Sequence, residues 1–109
     1  MDIIWSKDAG DEFFEIISII KYNTGQITAN KIYERINNEV EKTSKNASGR
    51  RIAPMLKKFG INYIHQVNVN PWAIYYKVDN NLMEVVSIID QRRNLEEILY
   101  KKFIEGKIV

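Results

Sequence analysis

The chain has 109 residues, 45% hydrophobic and 28% charged, enough for one compact domain and too few for a second core. It holds no cysteine and a single histidine, which excludes disulfides and thiolate metal sites and leaves a histidine pair for catalysis without material. The net charge of +2 hides a strong asymmetry. Between Glu41 and Asp79 there is no acid, while Lys42, Lys45, Arg50, Arg51, Lys57, Lys58 and Lys77 carry +7, so the rest of the chain carries −5. Such segregation suggests a basic face that attracts phosphate, balanced by acidic helices, with charge clustered by chance or for solubility as the alternative reading.

In chain order, the start Met1-Asp2-Ile3-Ile4-Trp5 lacks the basic and apolar regions of a secretory signal, and no run approaches the roughly 20 apolar residues needed to span a bilayer. An intracellular, cytoplasmic location is the expectation. A first helix is predicted over Asp8 to Tyr22: Phe13, Ile16, Ile17 and Ile20 recur at helical spacing, and Asp8, Asp11, Glu12 and Glu15 form a solvated acidic face near the positive helix end. Gly25 closes it. Gln26-Ile27-Thr28 reads as a short extended connection able to pair as a minor strand, with Thr28 capping a second helix from Ala29 to Glu41.

After a polar run, Ser48 is a good cap for a third helix to Phe59, with Ile52, Met55, Leu56 and Phe59 inward and Gly60 ending it. Pro54 would kink a regular helix there, so either the first turn is irregular or the helix proper starts near Ala53. From Ile61 the pattern alternates through Tyr63, His65, Val67 and Val69, and again through Trp72, Ile74, Tyr76 and Val78, so an antiparallel hairpin turning at Asn70-Pro71 is predicted, with Tyr75 outward. His65 reads as a packed, hydrogen-bonded side chain. The segment Asn80 to Gly106 reads as helix, one or two pieces, with Leu82, Val85, Val86, Ile89, Leu95, Ile98, Leu99 and Phe103 apolar.

This order, α+β and mostly helical, resembles the winged-helix (winged helix-turn-helix) family with an added C-terminal helix. The strings Gln26-Ile27-Thr28-Ala29-Asn30-Lys31-Ile32-Tyr33 and Ser48-Gly49-Arg50-Arg51 through Gly60-Ile61 are similar to its two helix-turn-helix elements. The spacing is also similar to the C-terminal module of phage, plasmid and archaeal primase-helicases, without their phosphate loop. The abundance of Ile, Asn and Lys suggests an AT-rich genome. The resemblance implies a winged-helix unit at 1–79, with 80–109 as a packing or dimerisation helix of the same structural unit.

It also implies a double-stranded DNA-binding protein that reads the major groove with the third helix, a sequence-specific transcriptional regulator. Arg50 and Arg51 would read bases, and Lys42, Lys45, Lys57 and Lys58 would meet phosphates, with Ser48, Asn68 and Asn70 as further contacts. A homodimer through the C-terminal helix would set two such helices about one DNA turn apart. A replication or plasmid-maintenance module and a winged-helix protein-interaction module are the alternatives. No catalytic site, metal or cofactor is expected.

Overall fold

The computed structural model describes residues 1–108. Along the chain lie β1 (Asp2–Trp5), α1 (Lys7–Thr24), α2 (Gln26–Ser44), a 3-10 turn (Ala47–Gly49), α3 (Pro54–Lys57), β2 (His65–Val69), β3 (Trp72–Asp79), β4 (Leu82–Asp90) and α4 (Leu95–Ile104). The fold is α+β. Its four strands form one sheet in the order β1-β4-β3-β2, with β1 parallel to β4 and the other neighbours antiparallel.

Ser6 caps α1 by accepting a 3.1 Å bond from the Ala9 N–H on its hydroxyl. At the far end Gly25, with φ 95° and ψ 171°, both closes α1 and opens α2, a conformation that side-chain-bearing residues rarely adopt. The two helices are therefore joined by a single residue and lie against each other, with the Phe13 and Tyr33 rings stacked at 5.3 Å. The expected minor strand at Gln26–Thr28 is instead the first turn of α2, because Gly25 already makes the reversal and its carbonyl accepts the Ala29 N–H.

The predicted helix from Ser48 to Phe59 does not form, and with it goes the winged-helix architecture. Pro54 stands at the first position of a single helical turn, and the residues before it are extended. Ile52 bridges His65 in antiparallel fashion, the Ala53 N–H donates to the Ile64 carbonyl at 2.8 Å, and the Gln66 N–H donates to the Arg51 carbonyl at 3.1 Å. Backbone bonds to the edge of β2 satisfy what a helix would have satisfied internally.

β2 and β3 form the expected hairpin across Asn70-Pro71, although β2 begins at His65 rather than Ile61. The larger difference lies beyond it. Asn80, at φ 55°, and Asn81 make a tight turn, and Leu82–Asp90 returns as β4 rather than continuing as helix. Only the second half of the predicted C-terminal helix is one: α4, capped by Asn94, whose side chain accepts the Glu97 N–H. The division at residue 79 falls within this β3–β4 connection, so residues 80–109 supply a central strand of the sheet.

Both faces of the sheet are covered. One packs Ile74, Tyr76, Met83, Val85 and Ile88 beneath Phe13, Ile36 and Val40 of the helical pair. The other packs Ala73, Tyr75, Val86 and Ile89 against Leu56, Ile61, Ile64, Leu99 and Ile108. Tyr75, expected outward, is thus fully buried, and burial pushes its phenol up to about 12. The apolar stripe of α4 is spent on its own core, which removes the reason for pairing it with a second copy. Among the described residues no helix is long and apolar enough to cross a membrane.

Candidate functional site

The sheet is uneven along β4. Strand β1 stops at Trp5, opposite Val85, where the Ser6 N–H donates to the Val85 carbonyl at 2.9 Å and the chain leaves into α1. β4 runs on to Asp90 with β3 on one side only. A register shift at Tyr75/Tyr76 leaves Val86 without an opposite residue, and from there the ladder alternation can be followed. The Gln91 N–H donates to the Pro71 carbonyl at 2.8 Å, so Trp72–Asp90 and Ile74–Ile88 are pairs whose backbone groups turn away from each other. Ile88 and Asp90 therefore aim their N–H and C=O groups into the lane that β1 has vacated.

Side chains fill part of that lane. The Ser6 hydroxyl donates to the Val86 carbonyl at 3.5 Å. Glu12 Oε1 accepts the Ile88 N–H at 3.2 Å and the Ser87 hydroxyl at 2.9 Å, taking the place of a strand carbonyl. The Arg93 N–H donates to the Asp90 carbonyl at 3.1 Å. Among the described residues, the Ile88 C=O and the Asp90 N–H keep no partner.

A groove of about 290 Å³ opens at this point, walled by Ile16, Ile19 and Ile20 of α1, with Trp72 and Ile88 from the sheet and a charged rim. On the rim Arg92 grips the Asp90 carboxylate at 2.6 Å, and its guanidinium holds that carboxyl below the usual range. Glu15 and Arg93 also line the groove. Arg35 of α2 lies over the Trp72 ring at 5.9 Å and donates to the Asn70 carbonyl, fixing the turn beside the floor. Behind the wall, Lys102 of α4 reaches Asp8 and Glu12 of α1, the latter at 2.9 Å, with its own side chain 9% exposed. The acidic residues expected to form a solvated face thus divide: Asp8 and Glu12 anchor α1 to α4 and β4, while Asp11 pairs with Lys7 at the surface.

The residues predicted to contact DNA are not gathered on one helix. Lys42 lies in the last turn of α2 and Lys45 follows it, Ser48 sits in the 3-10 turn, and Arg50 and Arg51 sit on the extended run. Lys57 ends α3, and Lys58 pairs with Glu96 at 3.8 Å. The Asn68 side chain accepts from Gln66 at 3.0 Å, and Asn70 is bound by Arg35. None of them lines the groove. His65 is the packed side chain expected: its Nδ1 bonds the Arg50 carbonyl at 2.9 Å and its ring stacks on Tyr76. The groove itself has no motif in the sequence. Its one visible signal was Ile19, an isoleucine beside the apolar stripe of the first helix and 53% exposed.

Comparison with known proteins points away from a winged helix. Residues 3–95 match the family described as the ParE toxin of the type II toxin-antitoxin system, parDE. The fold matches a solved chain described as "Chromosomal ParDE TA system from P. aeruginosa" with a TM-score of 0.69 at 15% identity, covering 83% of this chain and 95% of that one. Among curated proteins none matches the sequence. These matches overturn the winged-helix assignment and the likeness to primase-helicase modules. They also overturn the transcriptional regulator, the replication or plasmid-maintenance module and the winged-helix interaction module as functions. The homodimer on double-stranded DNA falls with them.

Proposed function

The chain belongs to the ParE toxin family, and on that premise we propose that it is the toxin half of a type II toxin-antitoxin pair, held inactive inside the cell by a protein antitoxin. The observation that carries this reading is the family match across residues 3–95, supported by a helical pair on a four-stranded sheet that superposes on a chain from a ParDE system. On this reading the basic stretch of the sequence serves solubility and surface contacts rather than a DNA major groove.

The toxin acts by binding rather than by chemistry. The sequence has no cysteine, and its single histidine is committed to a backbone carbonyl and a tyrosine ring. A protein partner suits the groove beside α1, which offers apolar walls, a charged rim and unpaired backbone groups in one place. The test is controlled expression in a bacterial host. Induction of the chain alone arrests growth, and co-induction of the antitoxin encoded with it restores growth and yields a co-purifying complex. Normal growth with the folded chain abundant would reject the proposal.

A further inference from the structure

We propose that the free edge of β2 is the surface by which the toxin grips its target, and that the occupant is an extended acidic segment of that protein, paired with the backbone at Asn68 and held by Arg50 and Arg51. The inference rests on the toxin reading for the existence of a target, while the edge and its charge follow from the structure.

β2 is the outermost strand on the side of the sheet away from β1. Its first part is already covered, since Ile52 bridges His65 and the Gln66 N–H donates to the Arg51 carbonyl. The covering chain reaches the edge only at Arg50, where it leaves the 3-10 turn, so Val67–Val69 has no strand beside it. The Gln66 bond also fixes the alternation. Gln66 turns its backbone groups outward, and so does Asn68 two residues on. Among the described residues the Gln66 C=O and the Asn68 N–H and C=O have no partner. Acceptor, donor and acceptor in a row match a polypeptide backbone, whereas a phosphate, which only accepts, can use one of the three.

Charge sets the chemistry of the added strand. Lys42, Lys45, Arg50 and Arg51 form no ion pair among the described residues, and the chain has no acid between Glu41 and Asp79 to offer them. The Arg50 Nε is buried without a hydrogen-bond partner, a donor that a carboxylate would satisfy. Arg50 and Arg51 stand where the cover leaves the edge, so a strand laid along Val67–Val69 would end beside them. Two copies of so basic an edge repel each other, which disfavours self-pairing and favours an acidic partner.

Growth arrest is the first readout. Arg50→Glu combined with Arg51→Glu should leave viable counts at least ten-fold above those of the wild type at equal induction, while Lys31→Glu, an exposed cation on α2, arrests growth as the wild type does. Asn68→Pro removes one outward N–H at a position where no ladder bond uses it, and should relieve arrest as well. These variants should melt within a few degrees of the wild type and still co-purify with the antitoxin. The second readout is a displayed library of random 12-residue peptides selected on the immobilised full chain. Enriched peptides should be rich in Asp and Glu, bind the arginine variant at least ten-fold more weakly, and slow exchange of the Asn68 amide at least ten-fold. Full arrest by the folded arginine variant, loss of the antitoxin from it, or unprotected exchange at Asn68 would overturn the site. So would a selection without acidic peptides beside Arg50-dependent binding of a random DNA duplex, because the occupant would then be a phosphate backbone. A wild-type chain that leaves growth untouched rejects the toxin reading alone, and the peptide selection and Asn68 exchange still decide the edge.

Discussion

Replacing Lys102 by methionine isolates the energetic cost of the ion cluster that ties α1 to α4. The Lys102 side chain is 9% exposed, and its ammonium pairs with Asp8 and with Glu12, whose side chains are 26% and 23% exposed. Methionine keeps most of the stem's packing, so the change is nearly one of charge alone. Removing one partner of a fully buried pair costs about 3–5 kcal/mol, because the opposing charge is left without compensation. Here the carboxylates keep a quarter of their exposure and Lys107 stays 3.8 Å from Asp8, so a loss of about 2–3 kcal/mol is expected. With a urea slope of about 1–1.5 kcal/mol/M for a domain of this size, the unfolding midpoint should fall by about 2 M. Adding Glu12→Gln should restore more than half of the loss. The amide oxygen can still accept from Ile88 and Ser87, and one of the two uncompensated carboxylates is gone. A loss under about 0.5 kcal/mol, or a double variant no more stable than Lys102→Met, would refute the cluster as the anchor of α4.

Three further outcomes follow from the same structure. Tyr75 and Tyr76 are fully buried, and desolvation raises both phenols to about 12 from an ordinary 10.0. Both stay protonated in the folded chain while the unfolded chain ionises, so stability is complete below about pH 10 and should fall by about 2–3 kcal/mol per tyrosine between pH 10 and 12. Urea titrations across that range, with Tyr75→Phe flattening the slope, check it. Gly25→Ala should cost about 1–3 kcal/mol although nothing stands within 4 Å of the added methyl, since the strain lies in the backbone at φ 95°. Thermal melts of the variant and of an exposed control such as Gly10→Ala measure the difference. Ile64→Ala, with its side chain fully buried beneath the sheet, should cost about 2–5 kcal/mol in the same assay.

How far the sequence reveals this fold depends on how each segment is buried. α1 buries one face, so its apolar residues keep the helical period; β3 is buried on both faces from Trp72 to Tyr76, yet its aromatic and β-branched residues and the Asn70-Pro71 turn mark the β2–β3 hairpin, and both elements are legible. β4 is buried on both faces between β1 and β3: Val85 to Ile89 are all buried, and such a run satisfies helical spacing at Leu82, Val85, Val86 and Ile89 as readily as it satisfies strand alternation. The Asn80-Asn81 turn was the competing signal, and it reads equally as a helix cap. The run Ser48–Phe59 misled for another reason. Its serine, its basic residues and its four spaced apolar side chains imitate a capped amphipathic helix, while Arg51 and Ala53 are fixed by backbone bonds to Gln66 and Ile64 that no local pattern announces. Pro54 was the one residue that argued correctly against it. The groove was illegible as a whole. Its backbone groups become available only because β1, nearly eighty residues earlier in the chain, ends before β4 does, a consequence of parallel pairing that periodicity does not encode.

Toxicity and its relief are the most direct readout of a toxin paired with an antitoxin. The chain is induced in a bacterial host, alone and with the antitoxin encoded beside it, while viable counts and soluble protein are followed. The toxin reading predicts that counts fall soon after induction of the chain alone, and that they stay level when the antitoxin is present and recovered in complex with it. Undiminished counts with soluble, folded chain accumulating in the absence of antitoxin would contradict it.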